Sequence, residues 1–174
     1  MKRGQVWVET VIYTLLAFIM IGLVVSYVKP KVEEMQDKTI IEQSSEMMKE
    51  IDSTILSMSG AGNQRIFEIR IKEGQMKVDG VNELLIFETD SKYMYTEPGK
   101  KIEDGNIVVY TGKKGSAYAI NLTRDYSGGY NITFEGRDEK KTVSRSSNSY
   151  KLSVLNKGTD PSNSSRVILD FSLD

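Results

Sequence analysis

A run of apolar residues at positions 6–28 constrains this 174-residue chain more than any other feature. The run carries one charge, Glu9, near its start, and positions 10–28 carry none. Those uncharged residues, at about 1.5 Å of rise each, come close to crossing a hydrocarbon core of roughly 30 Å. Such a helix is apolar on every side, which suits lipid or a bundle of similar helices better than the face of a water-soluble domain.

The flanks decide what kind of apolar helix this is. A short basic head, Lys2 and Arg3, leads through Gly4-Gln5 into the run, and Lys29, Pro30 and Lys31 follow it. A cleavable secretory signal has an apolar core of roughly 7–15 residues with a small-residue cleavage site beyond it. Here the run is longer and no such exit follows. The only signal-like junction precedes the run, at Gly4-Gln5, and cutting there would make the apolar helix the new amino terminus.

Lys2-Arg3-Gly4-Gln5 followed by Glu9 resembles the class III signal of archaeal type IV pilins and related archaellin-like proteins. The resemblance covers about residues 2–28. It implies that a prepilin peptidase cuts between Gly4 and Gln5, removing a leader of residues 1–4, and that the mature subunits assemble through their apolar helices into a filament. It also implies that Glu9 is the acidic residue four positions into the mature helix.

Glu9 has two readings on its own terms. It falls in the first turn of the helix, where the macrodipole favours a carboxylate and the depth is that of lipid headgroups. Alternatively, it meets the α-amine of Gln5, one turn away in the same helix or in a neighbouring subunit. In a dehydrated core an unpaired carboxylate is costly, so that pair would fix the register of a joining subunit.

Composition fits a structural protein outside the cytoplasm. The chain has no Cys and no His, which removes disulfides, thiolate chemistry, His-dependent triads and the common zinc sites. No spacing of carboxylates, Lys, Ser or Tyr suggests catalysis, so no catalytic residue, metal or cofactor is expected. The formal charge of −1 gives no bulk attraction to nucleic acid. The charge difference across the helix is small, but the very short head favours an amino terminus inside the cell. Everything after position 28 then lies outside the cytoplasmic membrane.

Past Pro30, which is expected to kink the helix, apolar residues recur at Val32, Met35, Ile41, Met48, Ile51, Ile55 and Met58. These spacings of mostly 3, 4 and 7 predict an amphipathic helix over 31–58, so the helix as a whole spans 5–59. Its other positions are strongly acidic. The stripe either packs on the domain that follows or meets helices of neighbouring subunits.

A hinge at 60–63, with Gly60 and Gly62, then ends the helix. Residues 64–174 switch to period-2 alternation. Strands are expected at 67–71, 84–88, 107–111, 117–123, 130–135, 150–155 and 167–173. Turns are expected at Glu73-Gly74, Asp104-Gly105, Lys113-Lys114-Gly115, Ser127-Gly128-Gly129 and Asn156-Lys157-Gly158. The fold class is α+β: a long hydrophobic helix, then an all-β, immunoglobulin-like sandwich. The charged stretch 137–149 reads as a solvated loop or edge strand, or as a basic contact for an acidic helix of the next subunit.

Three N-x-Ser/Thr sequons, at Asn121, Asn131 and Asn163, mark acceptors for glycans on an exposed filament or ordinary polar positions. Strand parity points Asn121 and Asn131 toward solvent. Asp160 with Asn163, and Asp104 in its Gly turn, lack EF-hand spacing. The expected whole is a pilin-like subunit with itself, the prepilin peptidase and, before assembly, the membrane as partners. The rival is a single-pass anchored surface protein or a filament-motor accessory protein.

Overall fold

The structure, a computed structural model, describes residues 3–173, with side chains from Trp7 onward. Met1 and Lys2 of the expected leader lie outside the described residues. The chain divides into two compact units, Met1–Gln36 and Asp37–Asp174.

One α-helix, α1, runs Arg3–Ser57 and contains Pro30. Proline has no N–H to give to the carbonyl of Ser26, yet the helix continues through it. From Trp7 to Val32 every side chain of the helix is exposed. In the second unit Ile41, Met48, Ile51 and Ile55 are buried almost completely. The expected stripe therefore packs on its own β domain from Ile41 onward, while Val32 and Met35 stay exposed. Each buried Ile or Met contributes about 1.5–3 kcal/mol of transfer free energy. This explains why the second unit begins inside the helix, at Asp37, rather than at the hinge.

Met58 donates its N–H to Ile55 as the helix closes. Gly60 and Gly62 then take left-handed φ of 82° and 84°, a region that admits Gly at little cost. The hinge is tied down: Gly62 N–H donates to the Asn156 carbonyl at 2.7 Å, and Asn156 N–H donates to the Asn63 carbonyl at 2.9 Å.

Ten strands follow: β1 (Gln64–Ile69), β2 (Gln75–Asp79), β3 (Leu84–Ser91), β4 (Lys101–Asp104), β5 (Ile107–Lys114), β6 (Ala117–Asp125), β7 (Tyr130–Phe134), β8 (Lys140–Ser144), β9 (Tyr150–Asp160) and β10 (Asn163–Leu173). They form a four-stranded sheet ordered β1-β9-β10-β7 and a six-stranded sheet ordered β4-β5-β6-β3-β2-β8. β10 runs parallel to β7, and every other pairing between these strands is antiparallel. The α+β class with a β-sandwich domain is thus observed.

Register keeps the apolar set on one face. Phe87 pairs with Leu122 and Leu122 with Val109, all buried, while the neighbouring row of Glu88, Asn121 and Tyr110 is only half-buried. From the other sheet Phe134, Val154, Leu169 and Phe171 complete the core.

The structure corrects the strand map in four places. β2, β4 and β8 are additional to the expected seven strands. β4 is polar (KIED) and β8 buries only Val143, so neither shows alternation; both are edge strands whose pairing comes from a neighbour. β8 lies in the stretch 137–149 and is the edge strand that one reading of it expected. The turn expected at Asn156-Lys157-Gly158 is instead a bulge inside β9, where the register with β10 shifts. Gly158 has φ of 91° there, and its N–H is held by Asn156 Oδ1 at 2.8 Å.

Candidate functional site

The surface from Trp7 to Val28 is unusual because so much of it is apolar and uncovered. Trp7 is 71% exposed, Phe18 66%, Leu23 67% and Tyr27 74%. Contiguous apolar surface on this scale marks a membrane or interaction surface. The helix is long and apolar enough to cross a membrane, judged by length and composition.

Two of its hydroxyls are satisfied within the helix. Thr14 Oγ1 donates to the Thr10 carbonyl and Ser26 Oγ to the Gly22 carbonyl, both at 2.8 Å. Such i−4 bonds satisfy a hydroxyl without water, which a hydrocarbon surrounding requires. Trp7 and Tyr27 stand 20 residues apart, about 30 Å along an ideal helix. Amphipathic rings at both ends of an apolar span are what the two interfaces of a bilayer favour. The spacing was present in the sequence, and that signal went unused.

Glu9 is exposed on the helix, one turn beyond Gln5. Gly4 and Gln5 lie within the helix bounds, but the Gln5 side chain lies outside what the structure describes.

A polar clamp holds the helix to the β domain within the second unit. Asp52, 5% exposed, accepts Arg124 Nε at 2.5 Å and Asn106 Nδ2 at 2.8 Å. The Arg124 guanidinium also donates to the Asp125 carbonyl and sits 4.6 Å over the Tyr126 ring. Tyr126 is buried, and among the described residues its hydroxyl has no hydrogen-bond partner. Burial first, and then the nearby Asp52 charge, push that phenol far above its ordinary range. Along the same helix, Lys49 Nζ donates to Asp104 Oδ2 at 2.7 Å and Asp37 accepts the Lys92 backbone N–H. Donating that hydrogen bond to the Asp104 carboxylate raises the Lys49 pKa. None of these bonds was legible in sequence, since Asp52 and Arg124 lie 72 residues apart.

The three sequons differ in environment. Asn121 is half-buried on β6, on the face opposite Ile120 and Leu122. Asn131 lies on β7 and commits Nδ2 to Asp160 Oδ2 at 2.9 Å. Asn163 is exposed at the start of β10, and its Oδ1 accepts both Ser165 N–H and Ser165 Oγ. Asp160 also accepts Ser162 N–H, so the carboxylates of Asp160 and Asp104 are both engaged by protein groups.

The chain matches no protein-family model, no curated protein and no solved structure.

Proposed function

We propose that this chain is the structural subunit of an archaeal type IV pilus-like filament, cut between Gly4 and Gln5 and assembled through its apolar helix. The observation that carries this is the fully exposed apolar surface of α1 from Trp7 to Val28. A helix of that length with one charge, near its start, leaves lipid at low cost only for a similarly apolar bundle of its own kind. The precursor resides in the cytoplasmic membrane, and the mature form lies outside the cell with its β domains around a core of helices. Glu9 pairs with the α-amine of Gln5 on a neighbouring copy and so sets the register of the joining subunit.

A second reading, a permanently anchored single-pass surface protein, draws on the same helix and on the Trp7 and Tyr27 pair at its two ends. The two readings part at the amino terminus. Material sheared from cells, analysed by mass spectrometry and electron microscopy, should begin at Gln5 and form filaments. An intact Met1 or Lys2 terminus on membrane-bound single molecules would replace the filament reading with the anchored one.

A further inference from the structure

The outward face of the six-stranded sheet carries one polar row that crosses it from edge to edge. Register aligns Ser144, Gln75, Glu88, Asn121, Tyr110 and Lys101 on β8, β2, β3, β6, β5 and β4. Beside this row the sheet has small residues, with Ala119 paired to Gly112. The Tyr110 ring leans over Gly112, so that a Cβ there would lie 3.3 Å from it. Next to the row is a depression of about 570 Å³ walled by Gln75, Glu88, Asp90, Lys114 and Asn121. Ligand sites span about 300–1,000 Å³.

Two features define what this depression recognises. Its charges are neutralised pairwise: Lys77 Nζ donates to Glu88 Oε2 at 2.6 Å and Lys114 Nζ to Asp90 Oδ2 at 2.7 Å. Neither a cation nor an anion gains from it. Its hydrogen-bonding groups are nevertheless only partly used. Lys77 and Gln75 Nε2 both bond Glu88 Oε2, and Lys114 bonds Asp90 Oδ2, which leaves Glu88 Oε1 and Asp90 Oδ1 as oriented acceptors. Among the described residues none bonds the Asn121 side-chain amide, which offers a donor and an acceptor side by side. Paired carboxylates with an open oxygen each, a free amide and the Tyr110 ring on the strand paired with Asn121 fit a neutral ligand dense in hydroxyls, each both donor and acceptor.

We propose that this depression binds a neutral oligosaccharide, with Asn121, Glu88 and Asp90 bonding its hydroxyls and Tyr110 flanking a sugar ring. The site is non-covalent and stands apart from the filament reading, since it lies wholly on the β domain. It assigns Asn121 as a ligand-binding amide rather than a glycan acceptor.

The test is calorimetric titration of the full-length chain in detergent with maltotriose, mannotriose and chitotriose, and with a sulfated heparin disaccharide as the charged control. At least one neutral trisaccharide should bind with a Kd on the order of 1 mM or tighter. Asn121→Ala should weaken it about tenfold through loss of its hydrogen bonds. Ala119→Phe, which adds bulk on the solvent side and leaves the core untouched, should abolish it and keeps the test valid if Asn121→Ala fails to fold. The proposal is overturned if no neutral sugar binds, if Ala119→Phe binds like the parent chain, or if the sulfated sugar binds more tightly. A glycan covalently attached to Asn121 in native material overturns it equally.

Discussion

Asp52 on α1 and Arg124 on β6 form an ion pair with their side chains 7% and 17% exposed, which joins the helix to the six-stranded sheet. Its remaining valences are filled by Asn106 and the Asp125 carbonyl. Removing one partner leaves a buried charge, which costs about 3–5 kcal/mol, whereas replacing both by apolar groups often costs little. Asp52→Ala should therefore lower the Tm of the β domain by on the order of 10 °C. The double variant Asp52→Leu/Arg124→Met should recover most of that loss. Thermal melts of Asp52→Leu, Arg124→Met and the double variant check it, and additive losses would show that the pair is not coupled.

The apolar stripe on the helix predicts a sharp positional contrast. Ile51→Ala, at a fully buried position, should destabilise by about 2–5 kcal/mol through lost transfer energy and the cavity left behind. Val32→Ala, on the same stripe but 42% exposed, should change stability by less than about 0.5 kcal/mol. Urea midpoints of the two variants decide this, and similar losses at both sites would refute the division of the stripe at Ile41.

Stability should have a plateau bounded on both sides by titration. Burial alone would raise the pKa of Asp79 and Asp170. Bonds from Lys140 and Asn82 to the first, and from Lys157, Thr133 and the Gly136 N–H to the second, more than offset it and leave both below the usual range. A carboxyl depressed in the native state stabilises above its unfolded pKa of about 3.9, and that contribution is lost as the pH falls through the native value. Tyr126 acts at the other end. Its phenol is held neutral by burial, so above about pH 10 the unfolded chain releases a proton that the native one keeps, and stability falls. Denaturation midpoints measured across pH should be flat between about 5 and 10 and fall on either side. A midpoint unchanged at about pH 2 would contradict the carboxylate part.

Glu9→Ala separates insertion from assembly. An uncharged residue still partitions into lipid, so the membrane-bound precursor should accumulate at the level of the parent chain. Filament yield should drop severalfold, because the α-amine of Gln5 loses its partner in a dehydrated core. Membrane fractionation and counts of sheared filaments measure the two steps separately. Normal filament yield would remove the pairing role of Glu9 and leave the filament proposal standing.

Much of the architecture was legible because it depends on local composition and period. The apolar run at 6–28, the helical stripe from Val32 to Met58 and the switch to alternation past Gly60 and Gly62 each follow from how neighbouring side chains divide between water and core. The parity that turns Asn121 away from Ile120 and Leu122 is equally local. The bulge at Asn156, Lys157 and Gly158 was missed because the same three residues favour a turn when no partner strand is in view.

Sequence alone determined that the chain has an apolar helix fit for a membrane or a bundle, followed by a β-rich domain, because solvent segregation acts residue by residue. Only the tertiary structure decided that the stripe is covered from Ile41 but not at Val32, that β4 and β8 are strands, that β10 lies parallel to β7, and that Asp52 meets Arg124. Each of these depends on contacts between distant segments. Their energy exists only after loop closure has brought the partners together, and no local pattern encodes which partners those are.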